Sequence, residues 1–256
     1  MPAPEYQKSF VLTVSESKRL IAKGVARCPE VLEARKSGIV AVAKGTTNGY
    51  IVEELTGRSI RKSDYCTSVT TPRGVSAGTT GELPDLVLRG GERWEGVAAT
   101  DSVAEMKAGD VFIKGANAIN YDLGQAGILV GHPAGGTIGA AIGSVVGRRA
   151  TLLTPAGLEK NVPGDLHATY ARLTGVGANG SGPTLWPVPG MIFTEIEALE
   201  VLCSVEAQPI AAGGIAGAEG GVWMSVWGTK EQVDSVEALL GGIQGEPPFI
   251  PHQGRT

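Results

Sequence analysis

Lys44-Gly-Thr-Thr-Asn48 is the segment of this sequence best equipped for chemistry. It follows the apolar run at residues 39–43 and precedes Ile51, Val52 and Leu55, which recur at helical spacing. That pattern predicts a buried strand, a tight loop and the first turn of a helix. The first N–H groups of a helix have no intrahelical acceptor, so they make an anion site. Lys44 adds a full positive charge, and the hydroxyls of Thr46 and Thr47 add donors. Without a ligand, the same segment reads as an ordinary βα connection capped by Thr or Asn.

Two further segments carry polar groups in the same style. Asp110-Val-Phe-Ile-Lys-Gly115 predicts a buried strand, and Ala116-Asn-Ala-Ile-Asn120 a loop at its C-terminal end. Gly127-Ile-Leu-Val-Gly131 predicts the next strand, and His132-Pro-Ala-Gly-Gly-Thr137 a glycine-rich loop leading into a helix. Ligands of open parallel sheets bind beyond the carboxyl ends of the strands. The expected binding set is therefore Lys44, Gly45, Thr46, Thr47 and Asn48 from the first loop, and Lys114, Asn117 and Asn120 from the second. Gly135, Gly136 and Thr137 complete it from the third. None of the three loops contains a carboxylate. The candidates for a general base are His132, a residue type suited to proton transfer near neutral pH, and Asp122, the nearest acid; a loop histidine bonded to backbone is the plainer alternative.

Elements of an α/β chain must position these loops. A strand is expected at 10–14, then a helix capped by Ser15 or Ser17 with Leu20, Ile21, Val25 and Cys28 on one side. Pro29 kinks that helix or opens a second one. Between 64 and 100 the rhythm changes to strands at 65–71, 86–88 and 96–99 with Gly- and Thr-rich turns, which reads as an inserted β-flap. The helix after the third loop places Gly135, Gly139, Gly143 and Gly147 on one face, where another element can approach closely. Glu53 and Glu54 are expected to be solvated. After a turn-rich boundary at 176–183, the order strand, helix, strand, strand, helix suggests a small antiparallel sheet backed by two helices. The expected organisation is an α/β ligand-binding domain at 1–185, with a flap at about 64–100, and a small α+β unit and tail at 186–256.

Composition excludes several classes. With 42% apolar and 19% charged residues in 256, the chain has a globular balance and needs neither disulfide nor metal to fold. A net charge of −4 gives no reason to expect nucleic acid or an anionic membrane as partner. Cys28, Cys66 and Cys203 form no CxxC pair, and His132, His167 and His252 no HxxxH, so no metal is assigned. No signal peptide is evident and the expected setting is cytoplasmic. The uncharged stretch at 123–147 is interrupted by its Pro–Gly turn and reads as strand, turn and buried helix rather than as a membrane span. Scarce aromatics and glycine-rich edges leave self-association into a homo-oligomer open.

The three motifs together resemble the superfamily of ribose-5-phosphate isomerase, glucosamine-6-phosphate deaminase and the CoA transferases. Val40-Ala-Val-Ala-Lys-Gly-Thr-Thr-Asn-Gly-Tyr-Ile-Val-Glu-Glu-Leu55 is similar to their early phosphate-binding strand, loop and helix. The stretch at 110–120 is similar to the strand-end motif of the isomerases, and Gly135-Gly-Thr-Ile-Gly139 to their later glycine loop. The C-terminal unit resembles the small domain of ribose-5-phosphate isomerase. The resemblance implies an open, mostly parallel Rossmann-like sheet with a small ferredoxin-like α+β unit. It also implies a small anionic metabolite (phosphosugar, nucleotide or CoA-type) as ligand, with no cofactor assigned. By the match, Lys44, Gly45, Thr46 and Thr47 would hold phosphate, and Lys114, Asn117 and Asn120 would meet the reacting end. The chain departs from the pattern where Asn117 replaces an acid and where no nucleophilic Glu is evident. Asn cannot take a proton, so a non-catalytic sensor or regulatory subunit stands beside an isomerase-like or transferase-like enzyme.

Overall fold

The computed structural model describes residues 6–67, 70–71, 79–176 and 182–249. Its strands in chain order are β1 (Tyr6–Leu12), β2 (Ile39–Val42), β3 (Leu86–Arg89), β4 (Glu92–Arg93), β5 (Val111–Ile113) and β6 (Ala118–Asn120). They continue with β7 (Gln125–Val130), β8 (Thr151–Pro155), β9 (Thr184–Val188), β10 (Met191–Phe193), β11 (Glu206–Ala212) and β12 (Val222–Gly228). The helices are α1 (Val14–Val25), α2 (Pro29–Ser37), α3 (Thr46–Thr56), α4 (Ala99–Ser102), α5 (Gly136–Gly147), α6 (Leu166–Thr174), α7 (Glu195–Cys203) and α8 (Lys230–Gly241).

The fold is α/β, built on a mixed sheet ordered β10-β8-β5-β2-β3-β4. Its first four strands run parallel, and β3 and β4 close one side antiparallel. All four residues of β2 and all three of β5 are buried, as strands covered on both faces must be. A buried carboxylate sets their mutual register. Asp110 accepts from Ile39 N and Lys107 N, both at 2.8 Å, tying the start of β2 to the start of β5. At the other end, Val42 lies opposite Ile113 and Ile113 opposite Leu153, so the three strands release their chains side by side.

Local chemistry explains the helix boundaries. α1 begins at a capping box: Thr13 accepts from Glu16 N, and the Glu16 carboxylate accepts from Thr13 N at 2.9 Å. The expected caps Ser15 and Ser17 lie inside the helix instead, because the Thr13/Glu16 pair satisfies two orphan N–H groups at once. Leu20, Ile21, Val25 and Cys28 are fully buried, and Pro29 opens the separate helix α2.

Several expectations are corrected. The run at 127–131 is not a parallel strand: β7 pairs antiparallel with β6 and β9 in a sheet of its own. Residues 118–120 are accordingly strand, not loop. Lys62–Tyr65 is a 3-10 turn rather than the start of a strand at 65–71, whose residues 68–69 lie outside those described. The predicted strand at 96–99 is instead a turn leading into the short helix α4, with β4 before it at 92–93. The stretch at 86–93 adds two antiparallel strands to the central sheet. Within α5 only Ile138, Ala141 and Val145 are buried, and a Cβ on Gly143 or Gly147 would meet nothing, so close approach is confined to Gly135 and Gly139. Glu53 is buried rather than solvated. It accepts from Arg19 at 2.6 Å, and Arg19 also pairs with Glu54 and Glu246.

The C-terminal order strand, helix, strand, strand, helix is present, but its strands are shared with the rest of the chain. β10 extends the central sheet, and β1 completes the second sheet, ordered β1-β12-β11. Residues 177–181 of the expected turn-rich boundary and the expected tail from 250 lie outside the described residues. No helix among the described residues is long and apolar enough to cross a membrane.

Helix α1 packs against α7 at Gly24. A Cβ there would stand 2.7 Å from the Cα and Cβ of Ala198 and 2.9 Å from the Phe193 ring. Gly24→Ala is therefore expected to lower stability by about 1–3 kcal/mol in urea unfolding, overpacking outweighing the ~1 kcal/mol of helix propensity gained. A stabilised variant would contradict this packing.

Candidate functional site

Residues 43–48 leave β2 at the carboxyl edge of the sheet. Gly45 N donates to Tyr65 O at 3.0 Å. The buried Tyr65 hydroxyl donates to Val42 O and accepts from Leu86 N, so one side chain pins this loop to both neighbouring strands. α3 then starts with Gly45 as N-cap and no side-chain cap. The Thr or Asn cap expected from sequence is absent because both residues are already helical. Asn48 turns its Nδ2 to Ala43 O at 2.7 Å.

Lys114 leaves β5 beside this loop, with its backbone N bonded to Leu153 O at 3.0 Å. Asn117 follows. Its N donates to Gly127 O, and its Oδ1 accepts from Leu129 N at 3.0 Å, fixing β7 over the site. The third loop runs from the end of β7 into α5. Gly135 is its N-cap in the left-handed region (φ 81°), again without a side-chain cap. A Cβ at Gly135 would sit 2.8 Å from the Trp186 ring and from Gly139 Cα, so only glycine allows the turn.

These loops surround one cavity of about 500 Å³. Its lining includes Lys44, Gly45, Thr46, Thr47, Asn48, Lys114, Asn117, His132, Gly135, Gly136 and Thr137. Two expected residues are not brought there. Asn120 lies in β6, where it donates to Gly164 O and accepts from Leu123 N. Asp122 is exposed in the turn after β6. Both were displaced when 118–120 paired with β7. His132 lies on the cavity rim with Nδ1 accepting from Ala134 N at 3.1 Å. That bond puts the proton of the neutral ring on Nε2, which makes it a donor there and not a base.

Sequence reasoning missed Lys160, Thr67 and the β7 wall of Ile128, Leu129 and Val130. Lys160 had a usable signal: it lies just past β8, another parallel strand ending at the same rim. Its Nζ donates to Ala116 O at 3.1 Å.

Electrostatically the cavity is one-sided. Lys44, Lys114 and Lys160 line it, and none of the described lining residues is acidic. Two helix N-termini add roughly half a positive charge each. Burial pushes the Lys114 ammonium below its ordinary pKa; Cys66 and Asp85 oppose the shift and Lys160 reinforces it. Thr47 and Asn48 are 2% and 0% exposed, yet Thr47 Oγ1 and Asn48 Oδ1 have no hydrogen-bond partner among the described residues. Buried polar atoms in this state are unusual and mark a place where a ligand or water completes the network. No group of three or more His, Cys, Asp or Glu among the described residues is placed to hold a metal.

With this geometry in hand, comparison with known proteins adds no identification. No family model matches the chain, and no curated protein or solved structure matches it either.

Acids do occur on the rim, outside the lining. Glu195 opens α7 after β10, is fully buried, and accepts from Leu158 N at 2.9 Å. Burial pushes its carboxyl from 4.5 up to about 7; the Glu159 carboxylate reinforces the shift, and the Ser17 hydroxyl and backbone N–H groups oppose it. The folded chain thus holds this proton to about pH 7, whereas the unfolded chain releases it near 4.5. Stability from this group is present below pH 4.5 and is lost as pH rises to about 7. Glu195→Gln is expected to flatten that fall and to exceed the wild type by about 1–3 kcal/mol at alkaline pH in urea unfolding. An unchanged pH dependence would contradict the assignment.

Proposed function

We propose that this chain binds a small anionic metabolite in the cavity at the carboxyl edge of its parallel strands. One observation carries the reading: two uncapped helix N-termini and three lysines line a single cavity that has no acid among its described lining residues. Each feature alone is common, but their convergence concentrates positive potential where N–H groups have no acceptor of their own. The cavity volume is in the range of about 300–1,000 Å³ usual for metabolite sites.

A phosphosugar suits it best. Phosphate oxygens would be met by Lys44, by the N–H groups of Thr46 and Thr47, and by those of Gly136 and Thr137. A nucleotide or CoA-type ligand would share the phosphate contacts. A Rossmann-like fold of the ribose-5-phosphate isomerase, glucosamine-6-phosphate deaminase and CoA transferase kind agrees with this location, since those proteins use loops at the same sheet edge.

A second reading, a non-catalytic sensor or regulatory subunit, is favoured by the acid-free lining. With Asn117 bonded to Leu129 N and His132 bonded to Ala134 N, no lining carboxylate or free imidazole is set to abstract a proton. Proton abstraction of the isomerase type would then need another base.

Thermal denaturation with inorganic phosphate, ribose 5-phosphate, nucleotides and CoA esters tests the proposal. Phosphorylated compounds are expected to raise Tm and neutral ribose is not, with a smaller gain at high salt. Lys44→Ala is expected to weaken binding by roughly tenfold or more, the loss of a charge-assisted contact of about 1.5–3 kcal/mol. Lys36→Ala, on the exposed face of α2, is expected to change nothing. No response to any phosphorylated compound would overturn the reading.

A further inference from the structure

Lys114 differs from the two other lysines of the cavity. Lys44 Nζ donates to Gly81 O and Lys160 Nζ donates to Ala116 O, so each has a carbonyl to hold its ammonium in place. The Lys114 ammonium has no hydrogen bond or ion pair with any described residue, although the residue is half-buried and lines the same cavity. Its ammonium faces the cavity with no acceptor or counter-ion among the described residues, and partial burial favours release of its proton.

The groups facing it act in both directions. Lys160, on the turn after β8, repels its charge. Cys66, after the 3-10 turn, and Asp85, before β3, attract it, but burial outweighs both and lowers its pKa. Lys44 and His132 share the lining and supply no negative charge. A lysine whose ammonium is disfavoured by partial burial and by a second cation releases its proton more readily than an exposed one, and so reaches its nucleophilic form more readily. Its backbone N is held by Leu153 O, so the side chain enters the cavity from a fixed point.

We infer that Lys114 is a nucleophilic amine and that the cavity takes metabolites carrying both an anionic group and a carbonyl. This rests on the anion-binding reading above. The anionic end sits at the helix N-termini, and Lys114 Nζ adds to the carbonyl carbon. A C–N bond forms and the C=O π bond breaks, giving a carbinolamine. Loss of water then forms the imine, the two amine hydrogens leaving with the former carbonyl oxygen. Hydrolysis reverses the sequence, and no oxidant or reductant takes part. The imine provides an electron sink in a cavity without a carboxylate base.

The full chain is treated with glyceraldehyde 3-phosphate and sodium borohydride, and the reduced adducts are located by peptide mass spectrometry. Labelling of Lys114 is expected to be on the order of tenfold or more faster than that of exposed lysines such as Lys36, since a bound anionic end holds the carbonyl beside the amine. Excess inorganic phosphate is expected to suppress it, and Lys114→Met to abolish it while surface labelling persists. Two results would overturn the proposal, and they differ. If phosphate raises Tm but label is spread evenly over surface lysines, the anion site stands and the amine chemistry fails. If phosphate neither raises Tm nor slows labelling, the anion site fails and this inference with it.

Discussion

The N–H groups at the starts of α3 and α5 are the constraint on which this account depends. A helix start leaves donors that nothing inside the helix can satisfy. Most proteins cap them with a side chain, as this one does at Thr13, Thr194 and Thr229. At Gly45 and Gly135 it does not. The ends at Gly45 and Gly135 line the same cavity, so their dipoles add where three lysines already stand. That concentration of positive potential is unfavourable for the protein alone and favourable for an anion.

The sheet makes the convergence possible. β2, β5 and β8 run parallel and end in register, so the loops that leave them start side by side. Asp110 sets the register at the opposite end, and Tyr65 holds the loop after β2 against its neighbours. The third loop arrives by a different route. It comes off the separate β6-β7-β9 sheet, which Asn117 fastens across the mouth of the cavity. The acids Glu159 and Glu195 occupy the ends of β8 and β10 without entering the lining, which keeps the cavity cationic.

What could be read from the sequence was what is local. The apolar run before Lys44 and the helical spacing after it specify strand, loop and helix whatever surrounds them, and the same holds for the strand before Lys114. Partner choice was not legible. Gly127-Ile-Leu-Val-Gly131 has the composition of a buried parallel strand, yet β7 pairs antiparallel with residues on either side of it in sequence. That pairing removed Asn120 and Asp122 from the site. Glu53 looked solvated because its partners Arg19 and Lys62 lie on other elements. Lys160 went unnoticed because its turn carries no motif, although the strand-end rule that found Lys44 and Lys114 applies to it equally.

The central claim is tested most directly by a crystal structure grown with selenate, a phosphate-sized anion that anomalous scattering locates without ambiguity. The account predicts a peak inside the cavity, within hydrogen-bonding reach of the N–H groups that open α3 or α5 and of at least one of Lys44, Lys114 and Lys160. Selenate ordered on other surfaces while the cavity holds none would contradict it.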